Sequence, residues 1–139
     1  PKNQAYSKVL DQLKAVEMEA WANYMPTELS SGQQQRIALS RAMINDPLLV
    51  VADEPTGNLD FKSGEQMMGL LQKMSTDYNK TIIMVTHDLE YLKYSSKVVQ
   101  MLDGKLVGVY SGAEKDKIAS MVGSKRGNVL DLYKDETVK

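Results

Sequence analysis

Three groups of residues in this chain have types and spacing suited to chemistry on an anion. The stretch LSSGQQQR, residues 29 to 36, sets Ser30, Ser31 and Gly32 directly ahead of a helical run. Hydroxyls and bare backbone amides at a helix start attract phosphate, because first-turn N–H groups lack acceptors and the helix dipole adds positive potential. The stretch LLVVADEPTGNLD ends an apolar run in Asp53 and Glu54. An aspartate at such a strand end can hold magnesium, and the adjacent glutamate can polarise a water for attack on phosphorus. The stretch VTHD closes a second apolar run with Thr86, His87 and Asp88, where His87 can hydrogen-bond a terminal phosphate oxygen. Each group taken alone has a plain structural alternative: a helix cap, a solvated turn, a hydrogen-bonded histidine.

The elements that must position these residues follow from periodicity. Residues 4 to 21 read as an amphipathic helix, with Tyr6, Val9, Leu10, Leu13, Val16 and Ala20 at three- and four-residue spacing. Trp21 and Tyr24 beside Pro26 read as packing residues. Ser30 and Ser31 offer caps for a helix from about Gly32 to Ile44, which Asn45, Asp46 and Pro47 end. Leu48 to Ala52 is an unbroken apolar run, as expected for a parallel strand buried on both faces. A helix from about Lys62 to Tyr78 turns Met67, Met68, Leu70, Leu71 and Met74 inward, with the methionines as core filler. Thr81 to Val85 reads as a second buried strand, followed by a short helix from Leu89 to Tyr94. Asp103-Gly104 between two apolar runs signals a two-residue hairpin. AEKDKIASMVG reads as one short helix, and the polar remainder reads as a fraying end.

Strands alternating with helices give an α/β layered fold with a mainly parallel sheet, flanking helices and a C-terminal β-hairpin. Ligands in such sheets sit beyond the carboxyl ends of the strands, where Asp53, Glu54 and His87 fall. Two parallel strands are too few for a stable sheet, so further strands are expected to be missing or supplied by another chain.

Composition bounds the function classes. The chain has 139 residues, 42% of them hydrophobic, with 17 basic and 18 acidic side chains. That is room for one domain, and the balanced charge gives no basic face for nucleic acid. Cysteine is absent, which excludes disulfide and thiol chemistry and fits a reducing compartment. No apolar run approaches a membrane span and no signal-peptide pattern opens the chain. It begins with Pro1 and enters a helical pattern almost at once, as the middle of something larger would.

LSSGQQQR, LLVVADEPTGNLD and VTHD, in this order and spacing, resemble the second half of an ABC-transporter nucleotide-binding domain. QQQR and EPTGNLD are most similar to the lipoprotein-release, macrolide-export and cell-division branch. The resemblance covers residues 1 to about 112: residues 1–46 as the end of a helical subdomain, 47–112 as core, with 113–139 as a C-terminal helix and polar tail. It implies an ATPase working with Mg²⁺. Ser30, Gly32 and Gln33 match the signature loop, which reaches the γ-phosphate bound by the opposite subunit. Asp53 matches the magnesium-binding aspartate, Glu54 the catalytic glutamate and His87 the switch histidine. Asn58, Leu59 and Asp60 match the loop that links the two sites of a dimer. A second nucleotide-binding subunit, transmembrane permease subunits and a cytoplasmic place on the inner membrane face are implied with them.

There are two departures. Ser31 stands within the signature where the family usually has a second glycine. A phosphate loop of the form G-x-x-x-x-G-K-[ST] is absent, since Gly64 and Gly69 have the glycine spacing but precede Leu70-Leu71 inside a helix. The missing N-terminal half belongs upstream of Pro1, and the chain alone is expected to neither bind nor hydrolyse ATP. Two alternatives stand beside this reading. One is the C-terminal lobe of a chromosome-maintenance or DNA-repair ATPase, against which the short, heptad-free first helix speaks. The other is a non-enzymatic fragment that oligomerises by strand exchange.

Overall fold

The computed structural model describes residues 2–124, in two compact units that meet in sequence between Thr86 and His87. The polar segment 125–139 lies outside the described residues.

The first unit opens with α1 (Lys2–Ala15). The periodicity predicts a helix to residue 21, but the chain turns out of it six residues earlier. Met18 N–H bonds to Leu13 C=O (2.7 Å) and Glu17 N–H to Lys14 C=O (3.0 Å), with Glu17 at φ 59°. This is a Schellman closure with glutamate in the left-handed position usually given to glycine. Its apolar clasp is visible: Leu13, Val16 and Met18 are all buried, while Tyr6 and Val9 are exposed. A single 3-10 turn at Glu19–Trp21 follows, and Tyr24 lies exposed rather than packed.

α2 (Ser31–Met43) begins where the serines predict, with Ser30 as the cap. β1 (Leu49–Asp53) and β2 (Thr81–Val85) pair in parallel, Leu49 opposite Thr81 through to Asp53 opposite Val85. Between them α3 (Phe61–Thr76) buries Met67, Met68, Leu70, Leu71 and Met74, the predicted inward face. The entries to both strands are tied together. Lys80, itself buried, places Nζ 2.6 Å from Asp46 Oδ1, and Thr81 N–H bonds to Leu48 C=O at 2.9 Å.

The expectation of two-faced burial fails. Val50 is buried, but Val51 is 65% exposed and Ile83 50%, so α-helical cover reaches one face of the strand pair and leaves the other open. Among the described residues, the apolar composition of a parallel strand is present without the second layer that parallel sheets ordinarily carry.

The second unit holds a six-residue 3-10 segment (Leu89–Tyr94), the hairpin β3 (Lys97–Leu102) and β4 (Lys105–Ser111), and α4 (Gly112–Ser124). Asp103 and Gly104 both take positive φ, 49° and 73°, as a two-residue primed turn requires. β3 and β4 pair antiparallel, with an irregularity between Gln100 and Met101. α4 packs on the 3-10 segment and the hairpin. Among the described residues the α/β class is thus realised as two two-stranded sheets, one parallel and one antiparallel.

Candidate functional site

The α2 start is built by reciprocal capping. Ser30 Oγ accepts from Gln33 N–H at 3.3 Å, and Gln33 Oε1 accepts from Ser30 N–H at 2.9 Å. Gln34 adds a clamp on the preceding turn, its Nε2 donating to Pro26 and Leu29 carbonyls, each at 3.0 Å. The amides of Ser31 and Gly32 stand ahead of the helix's own hydrogen-bond ladder, at its positive end. Gln33 is therefore a capping residue by geometry, and Ser31 is exposed on the first turn.

α3 starts beside it. A Cβ on Gly32 would stand 3.4 Å from Ser63 Cβ, which brings the two helix N-termini together. Asp60 caps α3: Oδ1 accepts from Ser63 N–H at 3.0 Å and Oδ2 from the Ser63 hydroxyl at 2.6 Å. These bonds, the hydroxyl's foremost, hold the Asp60 carboxyl below its ordinary value. Asn58 lies exposed in the turn before it.

Asp53 ends β1, exposed. Glu54 follows in the left-handed region at φ 44°, a conformation that costs a non-glycine residue energy and gathers at functional sites. Its N–H bonds to Val85 C=O at 2.9 Å, so the strand pairing reaches one residue beyond β1. Its carboxylate Oε2 accepts from Thr86 Oγ1 at 3.3 Å, and its carbonyl accepts from Gly57 N–H at 3.1 Å. A half-buried carboxylate is thus held beyond the carboxyl ends of two parallel strands. His87 opens the second unit and is exposed, with Asp88 capping the segment behind it through Glu90 N–H at 3.0 Å.

Among the described residues no group of three or more acidic, histidine or cysteine side chains could by itself enclose a metal ion. Magnesium needs no such cage: it keeps most of its water and takes one or two carboxylates together with phosphate oxygens. Asp53, exposed at the strand end, fits that donor set.

Sequence reasoning gave Arg36 no role, though it closes the LSSGQQQR stretch. Its guanidinium spans from Glu17 Oε2 (3.1 Å) to Gln66 Oε1 (2.8 Å), tying the turn after α1 to α3 across α2. It lines a cleft of about 200 Å³ together with Trp21, Ser30, Gly32 and Ser63. Four-residue spacing from Gly32 was the available signal, since it puts both on one helix face.

A layered α/β unit with a helix N-terminus and an Asp-Glu strand end is the class defined so far. Comparison with known proteins sharpens it. The family model described as "ABC transporter" matches residues 1–57. The chain is 43% identical over 100 residues to the ABC transporter ATP-binding protein MJ0796 of Methanocaldococcus jannaschii, covering 71% of this chain and 43% of that protein. The dimeric structure of a post-hydrolysis state of the MJ0796 cassette, bound to ADP and Pi, superposes with TM-score 0.66 at 39% identity, over 76% of this chain and 46% of that one. CbiO1 of Clostridium perfringens, part of the ABC transporter complex CbiONQ, superposes with TM-score 0.79 at 26% identity, over 89% of this chain and 49% of that one. The chain corresponds to part of an ABC transporter ATP-binding domain. It spans about half the length of the relatives it matches. No helix among the described residues is long and apolar enough to cross a membrane.

Proposed function

We propose that this chain carries the signature and general-base half of an ATP-hydrolysing cassette that powers a membrane transporter or related complex. The observation that carries it is Glu54, fixed in the left-handed region with its carboxylate tied to the Thr86 hydroxyl, directly after Asp53. In this reading Glu54 orients a water and accepts its proton, and Asp53 would hold Mg²⁺. Mg²⁺, when bound, neutralises phosphate charge. His87 donates to the terminal phosphate. The amides of Ser31 and Gly32 and the Ser30 hydroxyl approach the γ-phosphate presented by a second cassette. Asn58 and Asp60 belong to the loop linking the two sites, with Asp60 acting as the α3 cap.

The partners are a second nucleotide-binding subunit, permease subunits and the N-terminal half that bears the phosphate loop. The place is cytoplasmic, on the inner membrane face. Residues 1–46 serve as the end of a helical subdomain, 47–112 as core and 113–139 as a C-terminal extension. A phosphate cradle needs successive backbone amides and a lysine, and no stretch of this chain has that pattern, so the chain alone is inactive. Calorimetric titration of the purified chain with Mg-ATP tests this. No saturable binding and no phosphate release are expected; binding with turnover would mean a cradle exists elsewhere in the chain.

A second reading, self-association by strand exchange, draws on the exposure of Val51 and Ile83. Apolar strands without cover recruit other chains.

A further inference from the structure

We infer that Arg36 is a positioning residue for the signature loop: its bridge from Glu17 to Gln66 fixes the start of α2 against the start of α3, and so sets the place of the amides that meet a second cassette's γ-phosphate. The inference rests on the ATPase reading above and adds to it a residue that acts through α2 rather than on the nucleotide.

Two contacts one helical turn apart join α2 to α3. The first is at Gly32, where a Cβ would stand 3.4 Å from Ser63 Cβ and 3.5 Å from its Oγ. The second is at Arg36, whose Nη2 donates to Gln66 Oε1 at 2.8 Å. Positions 32 and 36 share one face of α2, and positions 63 and 66 one face of α3. A single contact leaves two helices free to pivot about it. A second contact, one turn on, fixes their tilt as well. Ser63 is in turn held by Asp60, which accepts from its N–H at 3.0 Å and from its hydroxyl at 2.6 Å. The loop that carries Asn58 and Asp60 and the loop that carries Ser30 and Gly32 are thereby kept in one register.

A third anchor comes from the turn that closes α1. Arg36 Nη1 donates to Glu17 Oε2 at 3.1 Å, and Glu17 stands there because it takes φ 59° in that closure. The Arg36 side chain is only 16% exposed, whereas that of Glu17 is 69% exposed. An ion pair with so exposed a carboxylate adds little to stability, so its effect is chiefly directional. The planar guanidinium holds two acceptors from different elements in one fork. A lysine, with a point charge on a flexible stem, does not reproduce that geometry. Both terminal nitrogens are engaged by protein acceptors, so Arg36 is placed to hold the helix rather than to bind phosphate. Precision matters here, because a displacement of about 1 Å at a reacting centre can cost about 100-fold in rate.

The test uses the hybrid in which the 139-residue chain replaces the matched portion of MJ0796, in a Glu54→Gln background that lets ATP-bound cassettes accumulate as dimers. Size-exclusion chromatography with light scattering reads the Mg-ATP concentration at half-dimerisation. Nucleotide titration of the dilute monomer reads the affinity of a single cassette. Arg36→Lys and Gln66→Ala are each expected to raise the half-dimerisation concentration about tenfold, with single-cassette affinity unchanged. Their combination is expected to do no more than the stronger of the two, since both break one bridge. Gln66→Glu, which keeps an acceptor for the guanidinium, is expected to pair like the parent. Met74→Val separates positioning from stability, because it trims the buried end of α3 away from the bridge. It is expected to lower the urea midpoint at least as far as the bridge variants do and still to pair like the parent. Pairing by Arg36→Lys and Gln66→Ala at the parent's concentration overturns the inference. So do additive losses in the double variant, or a loss in Met74→Val or Gln66→Glu that matches theirs. A parent hybrid that does not dimerise with Mg-ATP overturns the ATPase reading, and this inference with it.

Discussion

The Thr86 hydroxyl donates to Glu54 Oε2 over 3.3 Å, so the residue that follows β2 steers the carboxylate that follows β1. The pair is possible because Glu54 N–H extends the strand pairing to Val85 and the left-handed turn at Glu54 aims its side chain across the strand ends. A hydrogen bond to a charged group contributes about 1.5–3 kcal/mol. Thr86→Val keeps the shape and removes the donor. In a cassette completed with the matching N-terminal half, hydrolysis is expected to fall about tenfold, equivalent to ~1.4 kcal/mol, with little change in ATP affinity. Steady-state kinetics reads the split; an unchanged rate would remove Thr86 from the site.

Ser30 has a structural duty that can be separated from its proposed contact with phosphate. Ser30→Ala removes the cap that receives Gln33 N–H and is expected to cost about 1 kcal/mol in urea unfolding. Ser30→Asp keeps a capping oxygen but sets a negative charge where the γ-phosphate is to approach. Stability should survive in that variant while ATP-driven pairing of completed cassettes is lost. Equal loss in both properties would leave Ser30 as a cap alone.

Arg36 ties three elements of the first unit, through Glu17 and Gln66. Glu17 is largely exposed, so its ion pair contributes little, and the hydrogen bond to Gln66 and the guanidinium's own packing carry most of the effect. Arg36→Ala is expected to lower stability by about 1–2 kcal/mol. Chemical denaturation measures it, and a neutral substitution would mean the bridge is incidental.

Two carboxylates set an acid limit. The Ser63 hydroxyl and then its N–H hold Asp60 low, while the Lys80 hydrogen bond and then its charge hold Asp46 low. A carboxylate whose folded pKa lies below its unfolded one adds stability that is complete above the unfolded value. That stability is lost as pH falls through the folded value. Urea midpoints should therefore stay level near neutrality and drop below about pH 4. Asp60→Asn, which keeps a capping acceptor, should flatten that acid limb. An acid limb as steep as the parent's would remove Asp60 as one of its sources.

The helix starts and the hairpin were legible in the sequence because single side chains enforce them. Ser30 with Gln33 and Asp60 with Ser63 close their own caps, and Asp103-Gly104 can take the two positive φ values a primed turn demands. The end of α1 was not legible. Its closing residue is Glu17, which carries no glycine signal, and the clasp of Met18 on Leu13 is a tertiary fact. The composition of β1 and β2 gave the right strands but the wrong burial, since it records the cover a complete fold provides rather than the cover present in this chain. At the site, Asp53 and Glu54 stood out by their position after an apolar run. Arg36 did not, because an arginine on a helix has many unremarkable uses until its partners at positions 17 and 66 are seen.

The most direct test replaces the matched portion of MJ0796 with residues 1–112 of this chain and compares it with the same hybrid carrying Glu54→Gln. The account predicts ATP hydrolysis by the parent hybrid, and for Glu54→Gln a loss of at least a hundredfold with ATP-driven dimerisation retained. A folded parent hybrid without activity, or hydrolysis by Glu54→Gln at the parent rate, would contradict the assignment of Glu54 as the base.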